Sequence, residues 1–100
     1  MRLNQTEHQI ISTIIQKIFG DNALLYLFGS RIEDDKLGGD IDLLIETNLK
    51  PEEAFIRKIQ AITEIQFALG EQKIDILITN PKKDDKRLVI QQARLTAVPL

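Results

Sequence analysis

The chain has no cysteine and no tryptophan, and only one tyrosine and three prolines in 100 residues. Without cysteine there is no disulfide framework and no thiolate metal site, which fits a cytoplasmic protein. No apolar run approaches the roughly 20 residues that a membrane-spanning helix needs. The opening Met1-Arg2-Leu3-Asn4-Gln5-Thr6-Glu7 is polar and carries an acidic residue, unlike a secretory signal peptide. Positive charge is not in excess either. The formal net charge is −2, so the basic face expected of a general nucleic-acid binder is missing. The one basic run, Lys82, Lys83, Lys86 and Arg87, alternates with Asp84 and Asp85 and reads as a solvated loop and helix start. No repeat, linker or low-complexity stretch divides the sequence, and its length suits one domain over 1–100 with one modest core.

What is present is periodic. Ile10, Ile11, Ile14, Ile15, Ile18 and Phe19 form a single helical stripe, so residues 5–19 are predicted as a helix ending at Gly20. The short apolar run Ala23 to Phe28 reads as a buried strand and Asp40 to Glu46 as a second, with a polar loop over 29–39. Pro51, Glu52 and Glu53 suit the first turn of a helix. Phe55, Ile59, Ile62, Ile65 and Leu69 continue it at helical spacing to Gly70. Lys73 to Thr79 is a third strand, closed by Asn80-Pro81. A last helix is expected over about 84–94, carrying Leu88 and Val89, with Leu95 just beyond and an extended tail from Thr96. The order α-β-β-α-β-α implies an α/β (α+β) fold, a small mixed sheet flanked by helices.

Three carboxylates conflict with this pattern. Side chains alternate along a strand, so Asp40 and Asp42 point to one side, with Cα atoms ~6.5–7 Å apart, while Ile41, Leu43 and Ile45 point to the other. In the third strand Asp75 lies on the face opposite Ile74, Ile76 and Ile78. Asp40 after Gly38-Gly39 also fits a turn residue. Asp42 and Asp75 are harder to explain structurally, because aspartate is depleted in strands. If the two strands are neighbours in register, all three carboxylates crowd one sheet edge and repel one another unless a hard divalent cation such as Mg²⁺ joins them. Gly29-Ser30 supplies a complementary half. Glycine lets backbone approach a ligand closely, and the Ser30 hydroxyl with neighbouring N–H groups can donate to phosphate oxygens. Arg31 can add a charge-assisted contact. Metal-holding carboxylates facing phosphate donors describe a site for a nucleoside triphosphate with Mg²⁺.

Gly29-Ser30, a nine-residue spacer, Asp40-Ile41-Asp42 and then Asp75 together resemble the DNA polymerase beta-like nucleotidyltransferase superfamily, and within it the minimal nucleotidyltransferase (MNT) domains. The resemblance covers essentially the whole chain, although only the stretch through Asp42 is specific. It implies an αβ fold with a mixed sheet and a two-metal mechanism using two Mg²⁺ ions, with ATP as substrate. Carried over by position, Asp40, Asp42 and Asp75 are the catalytic, metal-binding carboxylates, and Asp75 is also a candidate base. Gly29 and Ser30 are the triphosphate-binding turn, with Arg31 beside it. It further implies a partner, an all-helical HEPN protein that acts as an RNase toxin and that the MNT protein, as antitoxin, adenylylates on a tyrosine. The chain lacks the extra domains with which larger relatives grip a nucleic acid or antibiotic, so the acceptor must be held mostly by a partner.

Other residues read more simply. His8 is a solvated surface histidine off the isoleucine stripe. Tyr26 and Phe28 are core residues, Phe28 also a candidate border of the nucleotide pocket. Glu33, Asp34 and Asp35 belong to the loop, and Glu46 to the rim of the carboxylate face. Two further functions stay open. One is a catalytically weak or inactive antitoxin module that neutralises a helical partner by contact. The other is a nucleotide sensor without turnover.

Overall fold

A computed structural model describes residues 3–29, 41–70 and 72–100. The expected helix and strand order holds. Helix α1 spans Gln5–Phe19, strand β1 Leu24–Phe28, β2 Ile41–Glu46, helix α2 Pro51–Leu69, β3 Ile74–Thr79 and α3 Leu88–Thr96. A two-residue strand, β4 (Val98–Pro99), follows in the tail. The sheet order is β3-β2-β1-β4. Strand β1 runs antiparallel to β2 and β4, whereas β2 and β3 are parallel, as a helical crossover through α2 requires. The result is the mixed α+β fold that the sequence predicts.

Local chemistry sets the ends of α1. The Asn4 side chain accepts from the Glu7 amide at 2.7 Å, and the Glu7 carboxylate accepts from the Asn4 amide at 3.1 Å. This capping box satisfies two donors that the helix start leaves open. The Gly20 amide closes the other end on the Gln16 carbonyl at 2.9 Å.

The sheet has helices on both faces. On one face Ile41, Leu43 and Ile45 of β2, Ile76 of β3 and Leu27 of β1 meet Ile11, Ile15 and Ile18 of α1 and Ala61 and Ile65 of α2. Each fully buried side chain of this size contributes about 1.5–3 kcal/mol. On the other face Leu44 packs against Ile90 and Ala93 of α3, with Tyr26, Phe28 and Leu77 around them.

Two helical readings are corrected. In α2 the buried residues are Ala54, Ala61 and Ile65, whereas Phe55 is 60% and Ile59 50% exposed. Small alanines let α2 approach the core closely, which leaves the larger side chains flanking that contact. Helix α3 starts at Leu88, four residues later than the sequence suggests, and runs to Thr96. Its buried residues are Ile90 and Ala93, and Leu88, Val89 and Leu95 are exposed. The delay has a tertiary cause. Asp85 accepts from the Thr79 hydroxyl at 2.7 Å and from the Arg87 guanidinium at 2.8 and 3.0 Å. Arg87 also donates to the Ile78 carbonyl at 2.7 Å. These bonds hold residues 85–87 against the end of β3, so this part of the basic run is anchored rather than a solvated loop.

Candidate functional site

Alternation along β2 buries Ile41, Leu43 and Ile45 and turns Asp42 to the opposite face. The same rule in β3 buries Ile74 and Ile76 and leaves Asp75 exposed. The parallel register pairs Asp42 directly with Asp75. Their Cα atoms therefore lie about 4.8 Å apart, the ordinary spacing of neighbouring strands, with both carboxylates on one face. Paired carboxylate oxygens on one face are the kind of ligand that a hard divalent cation takes. None of the ion pairs among the described residues involves Asp75.

Strand β1 delivers the third component. Phe28 pairs with Asp42, which places Gly29 at the strand's end beside that carboxylate. Gly29 has φ +80°, in the left-handed region. A methyl group built on it would overlap Oδ2 of Asp42 and lie 3.2 Å from its Cγ. The Gly29 amide donates to the Thr96 hydroxyl at 3.4 Å, and that hydroxyl donates to the Ala93 carbonyl, also at 3.4 Å. The end of α3 thus braces the turn. Thr96 carries no sequence signal for this role, because the contact joins residues 67 positions apart.

Asp40, Ser30 and Arg31, the other expected site residues, lie outside the described residues. Among the described residues no group of three metal-ligating side chains gathers. Asp42 and Asp75 still suit a metal of the Mg²⁺ kind: hard oxygen donors, side by side, on a face that α3 covers only further along.

Glu46 belongs elsewhere, which corrects its reading as a rim residue. It sits four residues beyond Asp42, about 13 Å along the strand. There it accepts from the Tyr26 hydroxyl and pairs with Arg94 at 3.3 Å. Its hydrogen bond, burial and its negative charge push the Tyr26 phenol above the ordinary range, and Arg94 opposes this.

A cleft of about 590 Å³ opens at that far end of the β2–β3 pair, between the start of α2 and residues 79–87. Thr47, Leu49, Phe55, Lys58, Thr79 and Lys83 line it. Its one strongly perturbed carboxylate, Asp85, is held well below the usual carboxylate range by Arg87 and the Thr79 hydroxyl. With both oxygens engaged it is a structural clamp.

A family model described as nucleotidyltransferase domain matches residues 8–96. This match includes both carboxylates, Gly29 and Thr96. No curated protein matches the chain. Among the described residues no helix is long and apolar enough to cross a membrane.

Proposed function

Because the chain belongs to the nucleotidyltransferase domain family, we propose that it transfers AMP from ATP to a hydroxyl group of a protein acceptor. The observation that carries this reading is the in-register pair Asp42 and Asp75, facing one way beside Gly29. Asp42 and Asp75, with Asp40, hold the divalent metal, Mg²⁺ by the hardness of the donors. When bound, the metal supplies charge neutralisation of the triphosphate and polarisation of the α-phosphate.

The chain's own residues do the rest. Ser30 places the phosphates, and Arg31 adds positive charge. The Asp75 carboxylate accepts the proton of the acceptor hydroxyl. The acceptor oxygen then bonds to the α-phosphorus, the bond to the bridging oxygen breaks, and pyrophosphate leaves with the electron pair. A partner protein presents the acceptor. An all-helical HEPN protein fits that need, which makes the chain the antitoxin of a toxin–antitoxin pair.

The test is incubation with α-labelled ATP and Mg²⁺, alone and with the protein encoded beside it, in parallel with Asp40→Ala/Asp42→Ala. Label on the neighbour that disappears in the double variant supports the reading. Absence of label on any protein, with every nucleoside triphosphate tried, overturns it. A second reading, neutralisation by contact, is favoured by the exposed Phe55, Ile56 and Ile59 on α2. It prevails if the double variant still silences the partner.

A further inference from the structure

We propose that Gly29 is a positioning residue for the Asp42 carboxylate: beyond its positive φ, the space that a side chain would need is taken by that carboxylate. The proposal rests on Asp42 being a metal ligand of the nucleotidyl-transfer site.

Three observations converge on this residue. The direction in which an L side chain would leave Gly29 is occupied by the carboxylate: the added carbon would overlap Oδ2 and crowd Cγ and Cβ of Asp42 at 3.2 and 3.4 Å. Contacts under about 3 Å are not tolerated in close-packed interiors, so one partner must move. Asp42 is the movable partner, because its backbone is fixed between β1 and β3. Meanwhile the Gly29 amide is turned to the Thr96 hydroxyl, so the turn is braced on its α3 side. The surface of Gly29 on that side is therefore a wall against the Asp42 carboxylate.

Positive φ alone strains an L residue at Gly29, and the carboxylate adds a second, separable constraint. Gly20 and Gly70 have φ +90° and +89°, yet an added methyl group would meet nothing within 4 Å at either. They share the positive φ of Gly29 without the carboxylate, and so serve as internal controls.

The test compares Gly29→Ala with Gly20→Ala and Gly70→Ala in the full chain. The carboxylate ¹³C resonance of Asp42, assigned by its loss in Asp42→Asn, is followed first. Mn²⁺ affinity is then measured by electron paramagnetic resonance, and ATP affinity in EDTA. The expected result is a displaced Asp42 resonance and Mn²⁺ binding weakened roughly ten- to a hundred-fold in Gly29→Ala, as for loss of a group that orients a ligand. The two control variants leave both unchanged, and metal-free ATP binding stays within about two-fold in all three, since no phosphate donor is removed. An unmoved Asp42 resonance, or loss of metal-free ATP binding with Mn²⁺ affinity kept, overturns the proposal. If Gly29→Ala does not fold, it is repeated in an Asp42→Ala background. Recovery of the fold there upholds the proposal, and equal failure overturns it. A wild-type chain that binds no Mn²⁺ removes the transferase reading, while the resonance comparison still decides the role of Gly29.

Discussion

The two ends of the β2–β3 pair use aspartate in opposite ways. At the far end Asp85 is enclosed by its partners: the Thr79 hydroxyl, the Arg87 guanidinium and the Arg87 amide all donate to it. At the near end Asp75 is exposed and in register with a second carboxylate, Asp42, which itself abuts Gly29. A carboxylate whose oxygens are filled by the protein stabilises the fold. An exposed carboxylate outside any such clamp contributes little to the fold. The cleft of about 590 Å³ opens at the enclosed end, beside the clamped Asp85.

The sharpest break of this comparison is in activity. Asp42→Ala is expected to lower nucleotidyl transfer by more than the roughly 10–100-fold that loss of an outer partner costs, with the melting temperature near wild type. Labelled-nucleotide transfer and a thermal melt read the two effects separately. Asp85→Ala is expected to do the reverse. It leaves the Thr79 hydroxyl and Arg87 without their acceptor and destabilises the fold by about 1–2 kcal/mol in a urea titration, with transfer retained once folded.

Acidity sharpens the same contrast. The Asp85 pKa is depressed in the folded state, so its contribution to stability is complete above the unfolded value of about 4 and is lost as pH falls toward the folded one. The stability gap between wild type and Asp85→Asn should therefore hold at neutral pH and close below about pH 4. Tyr26 behaves conversely. Its raised pKa gives stability that is present below the unfolded value of about 10 and is lost as pH rises through the folded value. It is the chain's one tyrosine, so phenolate absorbance reports it directly, and Tyr26→Phe should blunt alkaline unfolding. The smallest effect belongs to the outer side of α2. Phe55→Asp should change stability by no more than about 0.5 kcal/mol, and any loss of partner capture would mark that side as a docking surface.

How much of this was legible depended on whether the cause was local. Alternation in Ile41-Asp42-Leu43 and Ile74-Asp75-Ile76 marks which side chains enter the core, and the crossover helix makes the two strands parallel, so the juxtaposition of Asp42 and Asp75 could be foreseen. The burial of α2 through Ala54 and Ala61 could not, because hydrophobic spacing favours the larger residues nearby and says nothing about how closely a helix approaches. The late start of α3 depends on Thr79 and Ile78, which lie in a different element from Asp85 and Arg87. The Thr96–Gly29 contact and the Arg94–Glu46 pair join residues far apart in sequence, and no window along the chain contains both partners.

The sheet's edges carry a consequence for how the protein meets other molecules. On one side β4 presents Pro99, whose nitrogen has no hydrogen to offer. The Leu100 amide bonds inward to the Leu25 carbonyl, so alternation turns the Pro99 nitrogen outward. On the other side the Arg87 guanidinium occupies the Ile78 carbonyl on the outer rim of β3. A proline and an arginine thus blunt the two rims along which a stray strand from another chain would zip on. Such rims are poorly suited to take up an added strand.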